Sequence, residues 1–332
     1  MMKILFAKTN SPYFNLATEE YLFNSEKYQP PIVFLWQNQN TIVVGKNQNT
    51  FAEINLINAQ KDDVNIVRRN TGGGTVYQDL GNLCFSLLIS NQNESSTEVF
   101  EKSLQPILDL LRSLGLNANF KGRNDLEIDG AKISGNAQVK NSTKILSHGT
   151  LLFDVDLPKL GKYLNVNQVK MESKKIASAP ARVTNIKPLL KDNLGIEDFI
   201  KMIAKQYSQA NVEEFILDAE DLKAIEELEV NKFKTWEWNF GKNETFSSVK
   251  TEYIPQIGLI EIGMNVDKGI IKSMHIFGDF LGTLGTQEIT EKLIDKKYDR
   301  ETIKNELSKI KNINEIFGAD IAIENLVNLI LK

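Results

Sequence analysis

The stretch that decides the reading is Val67-Arg68-Arg69-Asn70-Thr71-Gly72-Gly73-Gly74-Thr75-Val76-Tyr77-Gln78-Asp79. Two arginines lead into three consecutive glycines, and a β-branched segment follows. Side chains alternate along a strand, so Arg68 and Arg69 face opposite ways if the strand is regular. One of them can enter a pocket while the other braces the scaffold. Glycines lack Cβ and tolerate positive φ, and successive N–H groups among them can form an anion-binding nest. A guanidinium beside such a nest suits phosphate or carboxylate. A glycine-rich hairpin turn with solvated arginines accounts for the same residues, so the rest of the chain has to decide.

The chain has 332 residues, beyond the size at which one core usually suffices, and two domains are expected. Hydrophobic content of 42% and charged content of 25% describe an ordinary globular protein. Lys and Arg number 39 against 43 Asp and Glu, a net charge of −4, which argues against a nucleic-acid partner. The single cysteine, Cys84, cannot form an internal disulfide. Lys8 and Asn10 interrupt the N-terminal apolar run before it resembles a signal segment. No window approaches the ~18 apolar residues of a membrane span. The expectation is a soluble, cytoplasmic protein with no membrane partner. With only two histidines, His148 and His275, a His/Cys zinc cage is disfavoured. A metal, if used, is held by oxygen, as Mg²⁺ is.

Strands are expected over residues 3–7, 32–36, 41–44, 64–68, 83–89 and 145–153, and helices over 15–23, 54–61, 157–164, 199–207 and 222–230. Ser95-x-x-Glu98 is a capping-box pattern, and Gly115 marks the stop of the helix it opens. Asp129-Gly130 between alternating segments signals a hairpin. Residues 165–190, rich in Lys, Ser and Pro, suggest a mobile loop. Trp236-Glu237-Trp238-Asn239-Phe240 is an aromatic knot that anchors the end of a domain. From Phe246 the pattern restarts, with three strands and then three helices, enough for a small α+β domain.

Four residues outside the glycine stretch carry candidate chemistry. Lys132 follows the Asp-Gly turn among small residues and can hold a developing oxyanion; a solvated strand lysine is its plain alternative. Asp125 can hold Mg²⁺ together with phosphate oxygens or simply stabilise its turn. His148 can bind substrate or be a satisfied core histidine. Cys84 sits in a continuous apolar run, which makes it a buried inert thiol rather than a nucleophile. No Gly-Lys-Ser/Thr occurs, so there is no P-loop.

Together these residues resemble a known family, the lipoate–protein ligases. The similarity runs through Arg68 to Asn82, then Gly122-Arg123-Asn124-Asp125, Lys132-Ile133-Ser134-Gly135-Asn136-Ala137, His148-Gly149-Thr150-Leu151-Leu152, Arg182-Val183-Thr184-Asn185 and Trp236 to Phe240. The resemblance implies an α+β fold: a large mixed-sheet catalytic domain of the biotin/lipoate ligase type over residues 1–243 and a small α+β accessory domain over 247–332. It implies that lipoate and MgATP give lipoyl-adenylate and pyrophosphate. The lipoyl group then passes to a lysine of an acceptor, either the lipoyl domain of a 2-oxoacid dehydrogenase E2 subunit or the glycine cleavage H protein.

On the same resemblance Lys132 and Arg69 are the catalytic candidates. Arg69 and the loop Thr71, Gly72, Gly73, Gly74 take the carboxylate-phosphate region, while Phe34, Trp36, Val44 and Val76 line an apolar tunnel. Gln78, Asn82, Ser134, Ala137, His148 and Thr150 complete the substrate set. Gly74, Val76, Tyr77, Asn82, Lys132, Ser134 and Ala137 edge the ATP or AMP, and Asp125 is the Mg²⁺ candidate. The family commonly carries His where this chain has Gln78, and Ser-Ser where it has Asn70-Thr71. Gln78 cannot titrate, so an acid–base role there is lost. Three alternatives remain at this point. An ATP-independent octanoyl or lipoyl transferase would need a loop cysteine. A biotin ligase would need a Gly-Arg-Gly-Arg run, which is missing. A catalytically silent lipoate-binding regulator would bind ligand without releasing pyrophosphate.

Overall fold

Apolar segments too short for helices set the architecture. The computed structural model describes residues 2–92, 94–165, 183–209, 213–241 and 245–332. In chain order the first strands are β1 (Lys3–Phe6), β2 (Ile32–Trp36), β3 (Thr41–Val44), β4 (Asn65–Arg68), β5 (Val76–Gln78) and β6 (Asn82–Ser90). They are followed by β7 (Ala118–Lys121), β8 (Asp125–Ile128), β9 (Ala131–Lys140), β10 (Lys144–Leu152) and the two-residue β11 (Glu213–Glu214). Eight of these form one mixed sheet in the order β11-β1-β2-β6-β10-β9-β8-β7. The other three form a small sheet, β4-β3-β5, with β3 parallel to β4 and antiparallel to β5.

Strands β2 and β6 are apolar at nearly every position because both of their faces are covered. Val33, Leu35, Leu83, Phe85 and Leu87 pack into a cluster with residues of the helices Ser96–Ser113 and Ile196–Ser208. On the opposite face, Phe34, Trp36, Cys84 and Leu88 share a cluster with Leu16, Ala17, Leu22 and Phe23 of the helix Pro12–Asn24. The expected capping box is present: the Ser95 side chain accepts from Glu98 N, and Glu98 reaches back to Ser95 N. Such a cap is worth about 1 kcal/mol.

The C-terminal part is an antiparallel meander of β12 (Ser248–Ile254), β13 (Gly258–Asp267) and β14 (Ile270–Gly278), with the helices Gln287–Leu293, Arg300–Leu307, Ile313–Phe317 and Ile323–Leu331 following it. Its buried apolar residues form their own cluster, from Ile254 to Ile330. It meets the rest of the chain through main-chain and side-chain bonds. Gly73 N donates to Phe280 O (3.1 Å) and Gly278 N donates to Asn47 O (2.9 Å). Arg123 Nη1 donates to Ile257 O (2.9 Å), and Lys140 pairs with Glu315 at 2.7 Å.

Some expectations need correction. The helix expected over Ile54–Lys61 starts only at Leu56, because Ile54 is extended and bridges to Leu164, and a separate turn, Thr50–Glu53, precedes it. Asn55 then caps the helix by accepting from Asn58 N at 3.1 Å. Strands β7 and β11 and the helix Ile313–Phe317 were too short to carry a periodic signal. Of the loop expected over 165–190, residues 166–182, Arg182 included, lie outside the described residues. Val183 bridges to Lys132, and Lys187–Leu189 is a short 3₁₀ turn. Among the described residues no helix is long and apolar enough to cross a membrane.

Candidate active site

The two arginines part company as strand alternation requires. Arg68 ends β4 fully buried, and its guanidinium is held by main-chain oxygens and a hydroxyl. Its Nη1 donates to Gly45 O (2.8 Å) and Gln48 O (2.6 Å), its Nη2 to Thr50 Oγ1 (2.7 Å), and its Nε to Trp238 O (2.9 Å). Trp238 Nε1 donates back to Arg68 O at 2.8 Å, so the aromatic segment is tied to the base of the small sheet. Trp236 stacks on Phe240 with ring centroids 4.3 Å apart. Arg69 turns the other way, into the glycine loop. Its Nη2 donates to Gly72 O (2.6 Å) and Gly74 O (2.9 Å), and its Nε donates to Thr71 Oγ1 (3.1 Å). Burial pushes both guanidinium groups down to about 10, and for Arg69 the nearby Glu19 carboxylate works against that push.

Two glycines explain the loop's closeness to its surroundings. Gly73 has φ +90°, which suits a residue without Cβ. A Cβ on Gly45 would stand 2.0 Å from Gly73 O, so Gly45 lets the loop lie on β3. Gly45 was not among the sequence candidates, and a glycine at a strand end gives little signal by itself.

Behind the loop runs a buried polar chain. Thr71 Oγ1 lies 2.7 Å from His148 Nε2, and His148 Nδ1 lies 2.8 Å from Glu19 Oε1. Ser86 Oγ donates to the same Glu19 oxygen at 2.5 Å, and Trp36 Nε1 donates to Ser86 Oγ at 2.9 Å. Both histidine nitrogens are therefore engaged, as a satisfied core histidine requires. Glu19 was missed in the sequence. The signal was present, since Leu16, Glu19 and Phe23 are spaced i, i+3, i+7 on one helix face.

Lys132 is positioned by local strand chemistry. Asp129 (φ +50°) and Gly130 (φ +84°) make the turn between β8 and β9. One extra residue then enters the ladder: Leu126 pairs with Ser134 but Glu127 pairs with Lys132, so Ile133 is bulged. Ile133 enters the core, while Lys132 aims into a cavity. A bulge is how a strand re-aims one side chain. Lys132 Nζ lies 2.7 Å from Asp125 Oδ1. A Cβ at Gly135 would come within 3.0 Å of Nζ, so that glycine keeps the ammonium's path open.

The cavity these elements enclose is about 460 Å³. One part is apolar, walled by Leu16, Trp36, Val43, Val76 and Cys84, with Gln78 among them. The other part is cationic, with Arg69, Lys121, Arg123 and Lys132 beside Asp125 and the glycines. Burial lowers the Arg123 pKa, with Asp279 opposing. Tyr253, Gln256, Asp279 and Leu281 close the cavity from the C-terminal part.

Of the sequence candidates, Trp36, Arg69, Gly73, Gly74, Val76, Gln78, Asp125, Lys132, Ala137, His148 and Thr150 line this cavity. Others do not. Val44 and Tyr77 lie on the far face of the small sheet, in a cluster with Ile42, Ile54 and Tyr163, and Tyr77 Oη donates to Asn40 Oδ1 at 3.0 Å. Strand period two puts Val43, Val76 and Gln78 on the cavity face instead. Phe34 backs the wall, stacked on Trp36 at 5.9 Å. Thr71, Gly72, Asn82 and Ser134 also stand behind the wall. Gly72 packs against Phe280 O, Asn82 Nδ2 donates to Cys84 Sγ, and Ser134 Oγ accepts from Asn136 Nδ2. Leu16 and Val43 are wall residues the sequence did not single out. Among the described residues no three His, Cys, Asp or Glu side chains converge as a metal cage. Burial raises the Cys84 thiol pKa well above its ordinary value, and Glu19 adds to that.

Known proteins share the sequence pattern and the fold. The family profile described as lipoyl protein ligase A/B catalytic domain matches residues 11–208, and that described as bacterial lipoate protein ligase C-terminus matches residues 243–330. A relative from Mycoplasma pneumoniae named "probable lipoate-protein ligase A" is 40% identical, covering 95% of this chain and 94% of its own. The solved structure of P. falciparum LipL1 in complex with lipoate superposes with a TM-score of 0.82 at 28% identity, covering 100% of this chain and 99% of that one. A lipoate-protein ligase A bound with ATP superposes with a TM-score of 0.64 at 25% identity, covering 72% of this chain and 98% of that one. The fold is that of a two-part ligase of the mixed-sheet class. The chain belongs to the lipoate–protein ligase family.

Proposed function

We propose that this chain activates lipoate with ATP, releasing pyrophosphate, and then transfers the lipoyl group from lipoyl-AMP to a lysine of an acceptor protein. One observation carries the reading: a single cavity joins an apolar section at Trp36, Val43 and Val76 to a cationic section at Arg69, Arg123 and Lys132. A medium-chain acid with a carboxylate head fits that division, and so does a second anion beside the head. The relatives bound to lipoate and to ATP support both occupants.

In the first step a carboxylate oxygen attacks the α-phosphorus, and the bond to the pyrophosphate oxygen breaks. Two anions must approach each other, and Lys132 lowers their repulsion and stabilises the charge on phosphorus. Arg69 holds the Gly72 and Gly74 carbonyls, which fixes the loop beside the reacting oxygens. In the second step the acceptor lysine amine attacks the acyl carbon, AMP leaves, and the amine gives up its proton. Asp125 is a single carboxylate, which suits a Mg²⁺ that arrives on the phosphates rather than one caged by protein. Such an ion would screen phosphate charge. The acceptors we expect are E2 lipoyl domains or the H protein. Use of ATP fits the cytoplasmic location that the composition suggests. A transferase route through Cys84 is poorly served by a thiol that burial keeps protonated.

The test is lipoate-dependent ATP–pyrophosphate exchange by wild type and Lys132→Ala. Exchange should need lipoate and fall by about 10²–10³-fold in the variant. A folded wild type that binds lipoate without exchange would overturn the reading.

A further inference from the structure

We propose that Gln78 makes the cavity selective for a dithiolane tail over a plain alkyl tail. This rests on the reading that the cavity takes lipoate. The argument starts from the direction of three side-chain amides. Asn15 Nδ2 donates to the main-chain oxygens of Thr9 (3.2 Å) and Gln37 (3.0 Å). Those carbonyls can only accept, so the Asn15 amide cannot be turned round. One of the two Asn15 Nδ2 hydrogens is shared with Asn38 Oδ1 at 3.1 Å, and an acceptor facing that amino group leaves Asn38 Nδ2 as the atom facing Gln78. Asn38 Nδ2 donates to Gln78 Oε1 at 2.8 Å. Two main-chain carbonyls thus determine, through three amides, which end of Gln78 is left over.

The atom left over is Nε2, a donor. It has no protein partner among the described residues, and Gln78, only 4% exposed, lines the cavity. Gln78 stands two residues beyond Val76 on the same strand face, roughly 6.6 Å farther from the glycine loop. A bound acid with its carboxylate at Lys132 and the glycines therefore presents its tail to Gln78. His148 does not compete for that tail, since Glu19 and Thr71 occupy both its nitrogens. A dithiolane offers sulfur, a weak acceptor, to the Gln78 N–H. The methyl end of octanoate offers nothing and leaves a desolvated donor unpaired. As an amide does not titrate, this selectivity should hold at any pH where the protein is folded.

The experiment is calorimetric titration of the full-length protein with lipoate and, separately, octanoate, using wild type, Gln78→Leu and Asn38→Leu. Leucine removes the donor at similar size, which should favour octanoate relative to lipoate, so the quantity read is the ratio of the two Kd values. Octanoate should bind more weakly than lipoate to wild type. That ratio should fall roughly five- to tenfold in Gln78→Leu, the modest size reflecting sulfur as acceptor. Asn38→Leu leaves Gln78 in place but frees its amide to turn, and should lower the ratio in the same direction. It decides the matter if Gln78→Leu does not fold. An unchanged or rising ratio in the folded variants overturns the proposal, as does failure of wild type to bind either acid. Binding with the expected ratio but no pyrophosphate exchange would remove the ligase reading and leave the role of Gln78 standing.

Discussion

The two faces of the small sheet β4-β3-β5 do different work from the same few residues. On one face Val43, Val76 and Gln78 border the cavity; on the other Ile42, Val44 and Tyr77 sit in a closed cluster. At the edge of this sheet Arg68 and Arg69 repeat the split. Arg68 grips carbonyls of the scaffold, and Arg69 grips carbonyls of the glycine loop. Adjacent residues of one type thus separate into support and site by the pleat alone. A function assigned by motif has to be checked against parity before it is assigned to a side chain.

The comparison can be broken most directly at Arg68. Arg68→Ala strands several buried carbonyl oxygens and a hydroxyl, and should cost at least about 3 kcal/mol of stability in urea unfolding. A loss below about 1 kcal/mol would mean that the scaffold face does not depend on it. A finer contrast is Val43→Ala against Val44→Ala. Val44→Ala should lose about 1–2 kcal/mol of stability and leave the lipoate Kd unchanged. Val43→Ala should also weaken lipoate binding severalfold; equal effects on binding would erase the distinction between faces. Tyr77→Phe removes only the bond to Asn40 and should cost about 1 kcal/mol, with exchange kinetics at the wild-type level. If exchange fell instead, Tyr77 would belong to the site after all. The smallest effect is expected at Cys84. Iodoacetamide near pH 8 should leave it unmodified in the native protein and label it in urea, as read by mass spectrometry. Burial pushes its pKa upward, so the reactive thiolate is scarce in the folded state. Fast native labelling would reopen the transferase route.

Much of the site was legible because its signals are local. Three glycines after an Arg pair, an Asp-Gly turn before Lys132, and Ser95 with Glu98 each prescribe backbone conformation within a few residues. What escaped was of another kind. The exclusion of Val44 and Tyr77 depends on which face of β3 and β5 the helices leave open, which no window of sequence contains. Glu19, Ser86, Thr71 and His148 lie on separate elements, and their chain exists only after the helix Pro12–Asn24 packs against β6 and β10. Gly45 matters only because Gly73 O comes to lie on it.

The sequence by itself determined that there would be a glycine loop flanked by arginines, a hairpin presenting Lys132, a buried cysteine and a separate C-terminal pattern. Turn and cap preferences are properties of neighbouring residues, and apolar periodicity survives without knowledge of partners. Only the tertiary structure decided which arginine serves the loop, where the bulge at Ile133 turns Lys132, and which nitrogen of Gln78 faces the cavity. Those outcomes follow from hydrogen-bond partners supplied by distant segments. A buried donor or acceptor takes its direction from whatever the fold sets opposite it.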